Sequence, residues 1–495
     1  MPQLIKNATI EWLGEPKAPK AVRRSKSRRV SKNRRSSADP TEGLQVGNPH
    51  AAAIDIGCSE HWVAVPAGRT ERPTQRFGCC TAELNRLADW LKECRVDTVV
   101  MEATGNYWVV LYDILEERKL NPVVVNPRYA KNMSGKKGDI ADCQWMQKLH
   151  TYGLFSNSFR PPQEIRVLRA YLRQRETLVG AAAQEIQHMQ KALTEMNVQL
   201  ANVISDISGE TGLSIIDAIL AGERDPRSLA KLKGPRIAAS LATLERALEG
   251  HWKDEELFGL EQARLSYAHF QEQLQQCRQR IEQQMQTIQG RVPLEGQGMS
   301  PTTMPATDKG AEAAVGQADG RKPKSFDLGA ELKRVLGVDL TQIDGVGPVA
   351  AQVILSEVGT NMSRWRTEKH FASWLGLCPD HRISGGKVLG RATRPVVSRA
   401  RNALRLCAYT LTHSKSWLGA KYRRLRHKLG APKAIVAMAH HLARLIYRMI
   451  KNGQDYVDKG MEVYEAKYRE QRIKWLKKQA KELNLELHEM EAIAS

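Results

Sequence analysis

The sequence is poor in aromatic residues and contains no long apolar run. Phe, Tyr and Trp together make up 6% of its 495 residues. A membrane helix needs roughly 18 consecutive apolar residues, and no segment approaches that length. No apolar stretch near the start is typical of a signal peptide. These absences predict a soluble, cytoplasmic protein.

Cysteines with the spacing of metal ligands are also lacking. None of the eight cysteines belongs to a Cys-x-x-Cys pair, and Cys79 and Cys80 are adjacent, which suits a single zinc ion poorly. His440 and His441 lie in an apolar helical pattern, where packing or contact with a phosphate is a better interpretation than metal binding. The sequence therefore predicts reduced thiols and no zinc site.

Acidic residues are outnumbered by basic ones. The 75 Lys and Arg residues exceed the 54 Asp and Glu residues, which gives a formal net charge of +21. Much of the excess lies in Lys17–Arg35, which has ten basic residues and no acidic one. Such a segment cannot bury enough apolar surface to fold alone, so residues 1–45 are predicted to form a disordered basic arm. We expect the arm to contact nucleic-acid phosphates without reading sequence; a merely solvated tail is the alternative.

Residues 46–155 alternate strand and helix patterns, which predicts an α/β domain around a central sheet. The strand patterns are AAAIDIG, HWVAVPA, DTVVMEA and NPVVVNP, and the helix patterns are AELNRLADWLKECR and WVVLYDILEERK.

Residues 156–289 contain two long stretches in which apolar residues recur every third or fourth position. This period predicts an antiparallel helical hairpin, with short helices between its arms and a turn at Asp225 and Pro226. The hairpin could be a coiled-coil element of a dimer or a bundle within one chain, because its heptads are imperfect.

The remaining residues predict three further segments. Residues 290–326 are rich in Gly, Pro, Thr, Ala and charge, as in a flexible linker. Residues 327–455 are predicted to form a mostly α-helical domain. Residues 456–495 predict a charged helix that is exposed or bound to a partner.

Four acidic residues are arranged as a metal-dependent nuclease would require. Asp55 and Glu102 lie in apolar strand patterns, and Asp139 and Asp142 lie in the helical pattern GDIADCQWMQKLH. A spacing of three places the last two on one helix face. Carboxylate oxygens suit Mg²⁺, and paired metal ions can stabilise both the attacking and the leaving oxygen at a phosphodiester. The set predicts Mg²⁺-dependent chemistry on a nucleic-acid backbone; for any one of the four alone, a turn or cap role is commoner.

A second group of residues surrounds two glycines. Gly345 and Gly347 lie between two helical patterns, where the backbone can approach a ligand closely and the next helix offers free N–H groups. This resembles a helix-hairpin-helix, which binds DNA phosphates without reading sequence. A tight turn between helices with no ligand is the alternative.

Ser384 precedes two further glycines in a segment dense with cations. Arg382, Lys387, Arg391 and Arg394 surround it in the sequence. A serine hydroxyl needs a base, a metal or a cationic environment to act as a nucleophile. The flexible glycines could expose the hydroxyl while the cations neutralise a phosphate. A polar Ser-Gly-Gly turn is the alternative.

The helices downstream of Ser384 are rich in Arg and Lys and include four aromatic residues. This composition predicts a surface that holds a nucleic-acid backbone and stacks on bases. The four are Tyr409, Trp417, Tyr422 and Tyr447.

Six motifs together resemble a known family. In chain order they are AAIDIG, VVMEATGNYW, NPRYAKNMSGKKGDIADCQW, IDGVGPVAAQVILSEVG, WLGLCPDHRISGGK and GAPKAIVAMAHHLARLIY. Their order over residues 50–455 resembles the DEDD transposases of the one-ten family of bacterial insertion sequences, which are bridge-RNA-guided recombinases.

The resemblance implies two catalytic centres. The N-terminal domain would have a RuvC-like, RNase H-type fold, with Asp55, Glu102, Asp139 and Asp142 as its metal-binding DEDD set. Ser384 would be the nucleophile of a C-terminal transposase domain and would form a covalent phosphoserine link with DNA. The two centres would meet across a dimer, or within a tetramer.

The resemblance also implies the partners. A structured non-coding RNA would pair with donor and target DNA, so that base pairing selects the sequence. The protein would be a bacterial one associated with the nucleoid. The chain departs from the usual pattern at Cys58 and Cys143, neither of which is expected to touch a metal ligand.

Two rival interpretations fit the same residues. A RuvC-like domain could hydrolyse junction DNA with water and form no covalent intermediate. Alternatively, the protein could be a non-catalytic scaffold in which the acids are structural and the positive charge alone binds nucleic acid, with an affinity that falls steeply with salt.

Overall fold

A computed structural model of the chain describes residues 43–126, 138–291, 326–380, 382–390, 392–453, 461–483 and 485. These residues form two compact units that divide between Phe159 and Arg160. Most of the expected basic arm and linker lies outside the described residues. Across the described ranges, no helix combines the length and the apolar character that a membrane span needs.

A five-stranded sheet in the order β3-β2-β1-β4-β5 forms the centre of the first unit. Its strands are β1 (Ala51–Ile56), β2 (Glu60–Ala64), β3 (Thr74–Gly78), β4 (Thr98–Glu102) and β5 (Pro122–Val125). The neighbours β1, β4 and β5 run parallel. β2 is antiparallel to both β1 and β3.

Helices cover both faces of this sheet. They are α1 (Thr81–Glu93), α2 (Trp108–Glu117) and α3 (Asp139–Thr151). Ile54 and Met101 belong to the core that α1 and α2 complete. Ala53 and Val100, one position earlier in each strand, belong to the core under α3. Because both faces of β1 are buried, its sequence is a continuous apolar run rather than an alternating one.

Two long helices dominate the start of the second unit. α4 (Gln163–Glu195) and α9 (Asp254–Thr287) run antiparallel. The Cys277 thiol donates to the carbonyl oxygen of Tyr171 at 3.4 Å, and Gln284 Nε2 donates to the carbonyl oxygen of Glu164 at 3.1 Å. The predicted hairpin therefore forms within one chain.

Short helices fill the end of this hairpin around a core of their own. They are α5 (Leu200–Val203), α6 (Glu210–Leu220), α7 (Pro226–Ala230) and α8 (Leu241–Ala247). Asp225 caps α7 through the backbone N–H groups of Arg227 and Ser228, which confirms the predicted turn at Asp225 and Pro226.

The rest of the second unit is mostly helical. It contains α10 (Leu328–Leu336), α11 (Pro348–Val358), α12 (Glu368–Trp374), α13 (Arg399–Thr410), α14 (Trp417–Leu429), α15 (Ala431–Asn452), α16 (Met461–Glu482) and two 3₁₀ turns, Leu340–Gln342 and Leu411–His413. A small hairpin of β6 (Arg382–Ser384) and β7 (Lys387–Gly390) interrupts the helices. The sequence had not predicted this hairpin or strand β3.

One half-buried arginine, Arg169, joins the long helices to the helices that follow. Arg169 on α4 donates to the carbonyl oxygens of Ser356 and Glu357, at 3.0 and 3.1 Å. These are terminal carbonyl groups of α11, which no helical N–H can satisfy. Burial lowers the pKa of Arg169, and the nearby Glu357 carboxylate opposes this change.

Candidate active site

The sheet places Asp55 and Glu102 side by side. Ile54 is paired with Met101 in the parallel strands β1 and β4, and the two acids follow these residues directly. Side chains alternate between the faces of a strand. Ala53 and Val100 pack under α3, so Asp55 and Glu102, two positions further on, lie on that same face.

Helix α3 carries the other two acids over this face. Asp139 is its first residue, and Asp142 lies one turn later; both are exposed. Gln147 Nε2 donates to the carbonyl oxygen of Ala51 at 3.0 Å, which fixes the helix against β1. The small alanines of β1 allow this close approach.

The other three carboxylates act electrostatically on Asp55. The pKa of Asp55 is raised from 3.8 to about 6, first by burial and then by the negative charges of Asp139, Glu102 and Asp142. The backbone N–H of Ile56 opposes the rise. Strand ends and a helix far apart in the sequence thus place the other three predicted acids within electrostatic range of Asp55.

The chemistry of this set fits a hard divalent cation. Burial and then the three neighbouring carboxylates raise the pKa of Asp55, so a cation placed near Asp55 would relieve both effects. Within the described ranges, however, no three His, Cys, Asp or Glu side chains are close enough together to hold a metal ion.

Cys143 is a positioning residue that the sequence had not identified. Its buried thiol donates to the carbonyl oxygens of Ala53 and Trp62, at 3.4 and 3.1 Å. Burial raises the pKa of the thiol to about 12, and the backbone N–H of Asp55 also reaches the sulfur. The expectation that Cys143 would not touch an acidic-set residue is therefore wrong. Its position next to Asp142 was the available signal, but the contact depends on how α3 docks.

Ser384 lies at the tip of the β6–β7 hairpin. It is paired with Lys387, and the loop between them is Gly385-Gly386. Both glycines have positive φ, +54° and +74°, as a two-residue hairpin turn requires. Ser384 and Lys387 are exposed. The Ser-Gly-Gly turn, which was the alternative interpretation of this segment, is present, and it leaves the serine exposed.

The other cations of this segment differ in their surroundings. Arg394 Nη2 donates to the carbonyl oxygen and the hydroxyl of Ser373, at 2.8 and 2.7 Å, which holds the base of the hairpin. Arg382 begins β6. Arg391 lies outside the described residues.

The two glycines before α11 have different environments. Gly345 has a φ of +86°, and a Cβ there would lie 2.8 Å from the carbonyl oxygen of Cys407. Gly347 precedes α11, and a Cβ there would meet nothing within 4 Å. Gly345 thus serves the packing of the turn, whereas Gly347 leaves the start of α11 open.

Two of the four aromatic residues expected on a nucleic-acid surface are buried. Tyr422 is 1% exposed and Tyr447 is 4% exposed, and the Tyr447 hydroxyl donates to the carbonyl oxygen of Trp365 at 2.6 Å. That expectation is wrong for both, because they lie on the packed faces of α14 and α15. Tyr409 is 62% exposed.

Two segments of the chain match family models. Residues 52–198 match a DEDD model of the IS110 group, described as "Transposase". Residues 339–423 match the "Transposase IS116/IS110/IS902 family". The first match includes all four acidic residues and the second includes Ser384.

Two bacterial proteins are similar over shorter stretches. One from Sinorhizobium fredii is 32% identical over 127 residues, 24% of this chain and 32% of that protein. One from Pseudomonas aeruginosa is 27% identical over 136 residues, 26% of this chain and 37% of that protein. The first protein is named as transposase y4pF/y4sB and the second as a family 20 transposase. Both names mark the transposase function as assigned by inference. The chain spans about a third of the length of each of these curated relatives. The chain is therefore similar to two transposase domains of the IS110 group, to a DEDD domain over residues 52–198 and to a second domain over residues 339–423.

Proposed function

We propose that the protein is a transposase that cleaves and rejoins donor and target DNA strands when an insertion sequence moves. The observation that carries the proposal is the electrostatic influence of Asp139, Glu102 and Asp142 on Asp55, within the segment that matches the DEDD model. The exposed serine hairpin within the second matched segment supports it. A RuvC-like fold of the first unit, with its acids on one face of the sheet, belongs to the same proposal.

The acidic set would hold Mg²⁺. Asp55 and Glu102 would supply oxygens from the sheet, and Asp139 and Asp142 would supply them from the first turn of α3. When bound, the metal would polarise the scissile phosphate and stabilise the charge that develops on it. Cys143 and Gln147 would keep α3 against β1 while the ligands rearrange.

Ser384 would be the nucleophile in the strand-transfer step. Its Oγ would form a bond to the phosphorus, the bond from phosphorus to the leaving deoxyribose oxygen would break, and that oxygen would take up a proton. The proton of the serine hydroxyl would pass to a neighbouring carboxylate or to water. Lys387, opposite Ser384 in the hairpin, and Arg382 and Arg391 are the cations proposed to stabilise the phosphate. Attack of a DNA hydroxyl on the phosphoserine would reverse these changes and rejoin a strand.

A structured non-coding RNA would choose the DNA sites. The resemblance of the six motifs to bridge-RNA-guided recombinases supports this part of the proposal, together with the net charge of +21. The working form would be a homodimer or a tetramer. Sequencing of RNA that co-purifies with the protein would test the guide: one transcript with loops complementary to donor and target is expected, and a random sample of cellular RNA would contradict it.

A cleavage assay tests the metal-dependent part. In Mg²⁺, the wild-type protein should nick DNA that carries the ends of the element, and Asp55→Asn should reduce nicking by at least about 100-fold. Asp97→Asn changes an exposed carboxylate of the same unit and should cleave normally. Normal cleavage by Asp55→Asn would contradict the assignment of the acidic set.

A nuclease that uses water and no protein nucleophile is the second candidate. The convergent acids alone would suffice for that reaction, since they need no help from Ser384. Free DNA ends with no attached protein, formed equally well by Ser384→Ala, would favour this alternative.

A further inference from the structure

An open groove of about 950 Å³ lies between α14 and α16 in the second unit. Its basic and aromatic lining comes from both helices: Lys421, Arg424, Lys428, Tyr468, Arg472 and Trp475. All of these except Lys421 lie beyond residue 423, where the second family match ends. Neither the acidic set nor the serine hairpin contributes to the groove.

The lining residues form one continuous face on each helix. On α16, Tyr468, Arg472 and Trp475 are separated by four and then three positions. On α14 the basic residues are separated by three and then four positions, from Lys421 to Lys428. Residues at these intervals lie above one another along a helix. Two elongated walls therefore face each other, as a linear ligand requires.

The walls carry positive charge with little to offset it. Helix α14 contains five Lys and Arg residues and no Asp or Glu, and none of the groove's lining residues is acidic. Lys421 Nζ lies 3.2 Å from both ring nitrogens of His441. Burial, and then the charge of Arg444, lower the pKa of Lys421 to about 8. A basic lining without acidic residues favours a polyanion in the groove.

The aromatic side chains in the groove present flat surfaces to solvent. Trp475 is 58% exposed and Tyr468 is 41% exposed. The Arg424 guanidinium lies 3.8 Å from the centroid of the Tyr468 ring. A helix in water gains little from an exposed tryptophan, whereas a nucleobase can stack on one. The combination of cations and open rings is typical of a surface that binds unpaired nucleotides.

We propose that the α14–α16 groove binds a single-stranded polynucleotide, with its phosphates on the basic residues and an unpaired base on Trp475. A duplex would offer the same phosphates but not the face of a base, because its bases are stacked on one another. RNA and DNA strands share this chemistry. The proposal goes beyond the strand-transfer reaction, since it assigns a binding site that lies, except for Lys421, outside both matched segments and does not depend on Ser384.

Binding measurements on the full-length protein can separate the aromatic from the ionic contribution. The probes are fluorescent single-stranded dT20, single-stranded U20 and a 20-base-pair duplex. Trp475→Ala should weaken single-strand binding about tenfold and leave duplex binding within twofold of wild type. Trp475→Phe should retain most of the affinity, since it keeps a ring. Arg472→Gln should weaken all three complexes and lower the salt dependence by about one counterion. The relative losses for dT20 and U20 identify the preferred strand.

The matched control is Lys474→Ala, because Lys474 lies on α16 but outside the groove, in an exposed ion pair with Glu470. It should change single-strand binding less than Trp475→Ala does.

Oligonucleotides with 5-iodouracil, cross-linked by light, should attach to Trp475 or Tyr468 in the wild type. The proposal is overturned if Trp475→Ala binds both single strands like the wild type and the cross-links map elsewhere. It is also overturned if a poly-glutamate peptide displaces the strands at equal charge concentration, which would indicate an acidic protein partner.

Discussion

The thiol of Cys143 donates a hydrogen bond to the carbonyl oxygen of Ala53, at 3.4 Å. This contact joins helix α3 to strand β1 next to two acidic residues. Asp142 directly precedes Cys143, and Asp55 lies two residues beyond Ala53 on the same face of the strand. The bond therefore positions the helical half of the acidic set relative to the strand half.

The reactivity of Cys143 should reflect this burial. Its pKa is raised to about 12 and its side chain is fully buried, whereas Cys79 and Cys80 are exposed. We expect iodoacetamide at pH 8 to alkylate Cys79 and Cys80 in the folded protein and to leave Cys143 unmodified, as measured by peptide mass spectrometry. In urea, all three should react. Equal labelling of Cys143 in the folded protein would show that α3 does not dock on β1 as described.

Asp55→Asn should raise the melting temperature at neutral pH when divalent cations are absent. The folded-state pKa of Asp55 is about 6, above its ordinary value of 3.8. Because the folded state holds this proton more tightly, stability is highest when Asp55 is protonated and falls as the pH rises from 3.8 to 6. The amide cannot ionise and avoids this loss.

Calorimetry at several pH values measures the effect. The gain from Asp55→Asn should be full above pH 6 and should shrink toward pH 4, while Asp97→Asn should show no comparable pH-dependent gain. If Asp55→Asn melts at or below the wild-type temperature at pH 7.5, the raised pKa of Asp55 in the folded protein is refuted.

Glu368→Gln should destabilise the second unit. Glu368 Oε1 accepts hydrogen bonds from Arg444 Nε and Arg448 Nη2, each at 2.8 Å, and so joins α12 to α15. Hydrogen bonding from Arg448, followed by that from Arg444, lowers the pKa of Glu368 from 4.5 to about 2. The loss should be about 1–2 kcal/mol at neutral pH, since Arg448 is partly exposed.

The pH dependence identifies the origin of that loss. A lowered carboxyl pKa stabilises the fold above the ordinary value, and this contribution disappears as the pH falls from 4.5 toward 2. The difference between wild type and Glu368→Gln in urea unfolding should close over that range. Glu470→Gln, in an exposed pair on α16, should cost less than about 0.5 kcal/mol. A difference for Glu368→Gln that persists at pH 2 would exclude the ionic explanation.

The two glycines before α11 form a matched pair for testing the turn. Gly345→Ala requires an alanine at a φ of +86° with its Cβ 2.8 Å from the Cys407 carbonyl oxygen, so we expect a loss of about 1–3 kcal/mol. Gly347→Ala introduces a Cβ into open space and should lose less than about 1 kcal/mol. Thermal melts measure both changes. Equal losses would mean that packing does not require Gly345.

The sequence predicted those parts of the fold that repeat a local pattern. The apolar run of β1 and the period of α4 and α9 identify these elements because a strand buried on both faces and a packed helix each need such a pattern. Strand β3, with the sequence TQRFG, was missed because a polar edge strand lacks the alternation. The acidic set was predicted from strand ends and helical spacing.

Contacts between elements could not be predicted in the same way. Tyr422 and Tyr447 have the same sequence surroundings as surface aromatics, and only the docking of α14 and α15 buries them. Trp475 lies in a charged helix without an apolar face, so nothing local indicated its place in a groove. The thiol of Cys143 meets β1 for the same reason, through the docking of α3.

The central claim is that Ser384 becomes covalently linked to DNA with the help of the acidic set. The most direct test traps the reaction on end-labelled DNA in Mg²⁺, separates the products under denaturing conditions and maps the modified peptide by mass spectrometry. The wild type should give a DNA–protein adduct at Ser384, and Ser384→Ala and Asp55→Asn should give none. An adduct that persists in Ser384→Ala, or cleavage by that variant to free DNA ends, would contradict the account.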